Sequence, residues 1–163
     1  MKSRYTLEFY AADSGREPAL VFIDKLEPHK RAALLAALQE ILASQGKDVC
    51  DTEYGKNLGK GLYEFRLRHT YDEIVAQHPG ATSIGPPSRD RQADVLLRVF
   101  FYPHGEKLIL LLSGYDKGRH SSGKRQDREI KRARQFLADY KRTHKRRKFT
   151  FRLGLSRWIR TKR

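Results

Sequence analysis

The sequence predicts an α+β domain: a small, mostly antiparallel sheet with an N-terminal helical hairpin and a C-terminal helix, in the order β-α-α-β-β-β-α. Three observations lead there. Apolar residues alternate at period two over 5–10 and 62–69, as half-buried strands require, and the apolar-rich runs 94–102 and 107–115 suit strands at the centre of a sheet. Leu35, Leu38 and Leu42 recur at three and four, and Ile130, Ala133, Leu137 and Tyr140 repeat that rhythm, as amphipathic helices require. The chain has 163 residues, 39% of them hydrophobic, which suits one packed domain with a short appendage.

In chain order, Tyr5, Leu7 and Phe9 mark the first strand, and Ala-Ala-Asp-Ser-Gly ends it. Asp13 or Ser14 is placed to cap a helix over 17–26, with Pro18 tolerated in its first turn. Pro28 separates it from a second helix over about 29–44, stopped by Gly46. Gly59 and Gly61 lead into the strand at 62–69, where Tyr63, Phe65 and Leu67 alternate with Glu64, Arg66 and Arg68. Pro79, Gly80, Gly85, Pro86 and Pro87 then mark residues 70–93 as a long loop. Two apolar strands, 94–102 and 107–115, are joined by a short turn over 103–106. A loop over 116–123 precedes the last helix, expected near 127–140. Residues 1–142 form the domain, and 143–163 a basic tail able to be a strand, a short helix or an arm that orders on binding.

Charge is unevenly placed. Residues 1–115 hold fifteen basic and fifteen acidic residues; 116–140 hold eight and four; 141–163 hold eleven and none. The net +15 therefore lies entirely beyond residue 115, the footprint of a protein that meets a polyanion such as RNA or DNA. A solubilising tail or contact with anionic lipid is the alternative. No apolar run approaches a membrane span, and the N-terminus alternates charge with apolar residues rather than resembling a secretory signal. The single cysteine, Cys50, excludes an intramolecular disulfide framework. The expectation is a cytoplasmic protein with no cofactor and no membrane partner.

Strand parity locates the candidate chemistry. With Tyr63, Phe65, Leu67, Leu97, Val99 and Phe101 facing the helices, Arg66, Arg68 and Arg98 share the open side with Phe100 and Tyr102. The following turn adds Tyr115, Lys117, Arg119 and His120, and the last helix brings Lys124 and Arg125. Guanidinium forks grip phosphate oxygens and aromatic rings stack on unpaired bases, so such a surface suits single-stranded RNA. Any one arginine is as readily solvated, or paired with Glu64, Asp72 or Asp94. RNA cleavage by its own 2′-hydroxyl needs a proton acceptor, cations for the phosphorane and a donor for the leaving oxygen. No carboxylate cluster suggests a two-metal nuclease, and the six histidines show no paired ligand spacing.

Four segments carry a family resemblance: Gly61-Leu62-Tyr63-Glu64-Phe65-Arg66-Leu67-Arg68, Leu97-Arg98-Val99-Phe100-Phe101, residues 108–114 with Tyr115-Asp116-Lys117, and Glu129-Ile130-Lys131-Arg132-Ala133. In this order they resemble the RelE/ParE toxin superfamily, most closely its phage-like HigB branch, over about residues 3–142. The resemblance implies the toxin of a type II toxin–antitoxin system. Its expected activity is that of an mRNA interferase, a metal-independent endoribonuclease cutting mRNA on the ribosome and so inhibiting translation. It also implies a cognate antitoxin, commonly a helix-turn-helix protein.

Carried over by position, Arg66, Arg98 and Lys117 are the implied catalytic residues. Arg68 and Arg119 match further basic positions of the family's motifs, and together with Tyr115, His120, Lys124 and Arg125 of the surface described above they are the candidate substrate-binding residues. Arg98 matches the arginine that polarises the scissile phosphate. Three departures bear on proton transfer and access: Glu64 stands where ribosome-dependent toxins carry lysine, Gly118 replaces a second lysine, and 70–93 replaces a tight hairpin. A gyrase poison of the ParE kind and a non-catalytic nucleic-acid-binding protein are the competing readings.

Overall fold

The computed structural model describes residues 4–79 and 90–144. Its architecture is α+β, with the sheet mixed and five-stranded in the order β1-β5-β4-β3-β2. The strands are β1 (Thr6–Phe9), β2 (Gly55–Gly59), β3 (Leu62–Leu67), β4 (Leu97–His104) and β5 (Leu108–Asp116). β1 lies parallel to β5, whereas the other three pairings are antiparallel. This corrects the expected four-stranded order. β2 was missed because Gly-Lys-Asn-Leu-Gly does not alternate, and its residues are exposed or half-buried.

Helices α1 (Pro18–Asp24) and α2 (Pro28–Ala37) form the expected hairpin. Both begin at a proline, whose fixed φ suits the first helical turn and whose missing N–H costs nothing there. α2 runs on through a π-helical turn, Leu38–Leu42, and a last turn, α3 (Ala43–Gln45). The wider π turn brings Leu38, Ile41 and Leu42 all into the core. Gly46 ends the run at φ +60°, with its Cα against the Tyr5 ring, where no other residue fits as well.

The segment expected as a loop, 70–93, contains a helix, α4 (Tyr71–Gln77). Thr70 accepts from the Glu73 N–H, and Glu73 accepts from the Thr70 N–H, a reciprocal cap that closes both orphan donors. Residues 80–89 of that segment, and the tail beyond 144, lie outside the described residues.

Helix α5 (Gly123–His144) is longer than expected and covers the sheet face opposite the hairpin. Tyr10 donates to Asp139, which also accepts from Arg142, and Arg134 donates to the carbonyls of Leu58 and Gly59. The sheet therefore has two cores. One packs Phe65, Leu67, Leu97, Val99, Phe101, Ile109 and Leu111 against the hairpin. The other packs Leu62, Phe100, Leu110, Leu112 and Tyr115 against Ala133 and Leu137. Among the described residues no helix is long and apolar enough to cross a membrane.

Candidate functional site

The strand register builds the site. Arg66 lies opposite Arg98, and Arg98 opposite Tyr115, so one row crosses β3, β4 and β5. A bulge at Phe100 and Phe101 inserts Leu112 beside Ser113 and keeps Tyr115 on the same face as Arg98. Parity thus placed Arg66 and Arg98 correctly, and the bulge, which parity does not foresee, adds Tyr115.

Their exposure corrects the sequence reading. The side of the sheet that was expected to be open is roofed by α5. Arg98 is 1% exposed, Tyr115 is 2% exposed, and Glu64 is fully buried. The apolar stripe of α5 needs a partner surface, and Leu62, Phe100 and Leu112 supply it on this face. Arg98 therefore does not point into solvent.

Glu64 sits between the arginines. Its Oε1 accepts from Arg66 Nε at 2.7 Å and lies 3.7 Å from Arg98 Nε, which is an ion pair without a hydrogen bond. Arg98 Nη1 donates to its neighbour's carbonyl, Leu97 O, at 3.0 Å. Burial first, then the charges of Arg66 and Arg68, push the Arg98 guanidinium below its ordinary value, while Glu64 opposes them. Glu64 Oε2, Arg98 Nε, Ser113 Oγ, Tyr115 OH and Glu129 Oε2 are all buried without a hydrogen-bond partner among the described residues. Unmatched polar atoms in a native interior mark strain or function.

Lys117 follows the end of β5, half-buried, and makes no hydrogen bond or ion pair with the described residues. Burial depresses its amine below the usual lysine range, and Arg98, Arg66 and Arg68 depress it further against the pull of Glu64. Burial and the Glu64 carboxylate raise the Tyr115 phenol, with Glu129 adding to the effect and Arg98 and Arg125 working against it. Arg66, Arg68, Arg98, Tyr115 and Lys117 thus form one electrostatic group.

The remaining predicted residues lie elsewhere. Arg119, His120 and Arg125, with Tyr115, line a cleft of about 210 Å³ bounded by Phe22 and Glu27. Arg119 is bonded to Glu27, and Arg125 to Glu129 at 2.8 Å, so both guanidinium charges are met by carboxylates. Lys30 holds Asp116 at 2.7 Å at the cleft floor. His120 and Lys124 are exposed, and Lys124 is not part of the cleft. Glu129 was missed; its signal was the spacing Arg125, Glu129, Ala133, Leu137, which puts it on the inward stripe of α5.

Among the described residues no group of three or more histidine, cysteine or carboxylate side chains is placed to hold a metal ion. What the arrangement offers is cationic: three guanidinium groups and one depressed amine around the buried Glu64 carboxylate. Comparison with known proteins finds no family model that matches this chain and no curated protein that matches it.

Proposed function

We propose that the chain is an endoribonuclease of the toxin class, one that cuts mRNA at the ribosome and is silenced by a partner antitoxin. One observation carries the reading: the strand register sets Arg66, Arg98 and Tyr115 in one row that ends beside Lys117, whose amine, unpaired among the described residues, has its proton affinity lowered by burial and by the three arginines. A lowered amine pKa raises the neutral fraction near pH 7, which is the form a general base needs. In the reaction, the O2′–P bond forms and the P–O5′ bond breaks, leaving a 2′,3′-cyclic phosphate and a 5′-hydroxyl. Lys117 takes the 2′-hydroxyl proton, and the 5′-oxygen regains one from solvent. Arg66 and the exposed Arg68 meet the charge growing on the phosphorane. Arg98, being buried, acts through its field on Lys117 and not by contact.

The test is mRNA cleavage in a translating extract, with product ends mapped. Arg66→Ala/Arg68→Ala is expected to slow cutting by about 100- to 1,000-fold while circular dichroism stays parental. Cutting at the parental rate would remove the assignment. The burial of Arg98 favours a second reading, a non-catalytic nucleic-acid-binding protein. RNA retention without any cut product would select it, and arrest of DNA replication without cut mRNA would select a gyrase poison.

A further inference from the structure

We propose that Glu64 is a positioning residue for an anion site, holding Arg66 and Arg98 by their Nε edges so that the outer Nη edge of Arg66 is presented to a phosphate group. The inference rests on the reading above and deepens it, since it says how the cationic group is given its shape.

The geometry is specific. Glu64 is fully buried between two arginines that face each other across β3 and β4. One oxygen, Oε1, serves both: a hydrogen bond to Arg66 Nε at 2.7 Å, and an ion pair to Arg98 Nε at 3.7 Å. Engaging a guanidinium through Nε leaves its two Nη groups free, and those of Arg66 make no hydrogen bond with the described residues. A buried carboxylate that shared the Nη fork of Arg66 would instead have closed the edge that binds phosphate bidentately. Arg98 spends Nη1 on the Leu97 carbonyl, which locks its plane to the strand.

The groups around this carboxylate come from every layer of the face. β3 brings Arg66 and Arg68, β4 brings Arg98, Tyr115 and Lys117 stand at the end of β5, and α5 contributes Glu129 with its partner Arg125. Positive charge exceeds negative here, so the carboxylate is not needed to attract an anion. Simple electrostatics says that removing it should tighten phosphate binding. A positioning role says the opposite, and the two are separable by experiment.

The probe is inorganic phosphate, titrated by calorimetry into the full chain and into Glu64→Leu and Glu64→Gln. Glu64→Leu is expected to weaken binding about tenfold although the protein gains a positive charge, because misplaced forks lose their alignment. Glu64→Gln keeps an acceptor for Arg66 Nε and is expected to bind at least as tightly as the parent. Nitrogen-15 spectra should show the Arg66 Nε–H slow to exchange in the parent and in Glu64→Gln, and averaged in Glu64→Leu. If Glu64→Leu fails to fold, Glu64→Leu/Arg98→Met removes the unpaired buried charge and asks the same question of Arg66.

Phosphate bound as tightly by Glu64→Leu as by the parent would overturn the role, as would equal weakening in both variants. The predicted pattern in a protein that cuts no RNA keeps the role and removes the nuclease reading. RNA cutting with phosphate affinity indifferent to Glu64→Leu does the reverse. A parent that binds no phosphate overturns the role, and mRNA cleavage alone decides the nuclease reading.

Discussion

On the hairpin side, β3, β4 and β5 bury Phe65, Leu67, Leu97, Val99, Phe101 and Leu111 against α2 and its π turn. On the α5 side the same three strands bury Glu64, Arg98, Ser113 and Tyr115 beside a smaller apolar cluster. Each strand contributes to both faces, β5 with one bulge in its alternation, so the difference is not one of location or strand order. It lies in what the covering helix meets. The hairpin face gains stability from every residue it buries. The α5 face buries charges and hydroxyls, several without partners, and each such group subtracts from that gain. One face holds the fold, and the other encloses charged and hydroxyl groups.

Truncation tests the contrast most strongly. Leu38→Ala or Ile41→Ala, at fully buried positions of the hairpin core, should cost about 2–5 kcal/mol in urea unfolding. Leu137→Ala on α5 should fall at or below about 2 kcal/mol, since the smaller cluster has more freedom to collapse. Equal losses on the two faces would erase the distinction.

Next in size is Gly114, where the two faces meet on β5. A Cβ there would stand 2.4 Å from Phe22 Cδ1 and 2.8 Å from the Arg98 carbonyl oxygen. Gly114→Ala should therefore cost about 1–3 kcal/mol by forcing α1 off the strand, measured by the same unfolding. An unchanged midpoint would mean that α1 is held more loosely than its packing indicates.

Much of this was legible in the sequence, and the failures have physical causes. Alternation located β3, apolar richness located β4 and β5, and parity sorted the side chains of β3 and β4 to the right faces, because period two is a local property. The α4 helix was legible too: Thr70 and Glu73, three apart and followed by Ile74, form a capping box that the prolines downstream obscured. β2 had no such signal, since its pairing with β3 supplies what its composition lacks. The burial of Arg98 was out of reach for a different reason. It depends on where α5 docks, and a helix's stripe shows that it has a partner without saying which face that partner is. For the site, parity brought Arg66 and Arg98 together and the following turn added Tyr115 and Lys117, while the cleft around Arg119, His120 and Arg125 depends on distant contacts such as that between Arg119 and Glu27.

Arg98→Met should shift stability by no more than about 1 kcal/mol, because Glu64 keeps Arg66 and a buried charge is exchanged for apolar contact. The same change removes a positive neighbour of Lys117, so the acid limb of the pH–rate profile should move to higher pH. A limb that stays in place would separate Arg98 from the chemistry.

The smallest effect is expected at the far end of α5, where the His104 and His144 rings meet at 4.6 Å. Burial, and then His144, hold His104 below its ordinary value of 6.5. A depressed histidine binds fewer protons folded than unfolded, so its contribution is full above pH 6.5 and is lost as pH falls below that. Protection factors at 140–144, corrected for intrinsic exchange, should fall on acidification before those of the rest of the helix, and His104→Phe should abolish the fall. Uniform exchange across α5 would contradict this.

Lys117 is the base in the proposed reaction, and Lys117→Arg tests that role most directly. Arginine keeps the positive charge and the reach of the side chain but cannot give up its proton in this pH range. Cleavage of mRNA in a translating extract should fall by about 100- to 10,000-fold, with RNA affinity and unfolding unchanged. A Lys117→Arg protein that cuts at the parental rate, with the parental pH profile, would contradict the central claim.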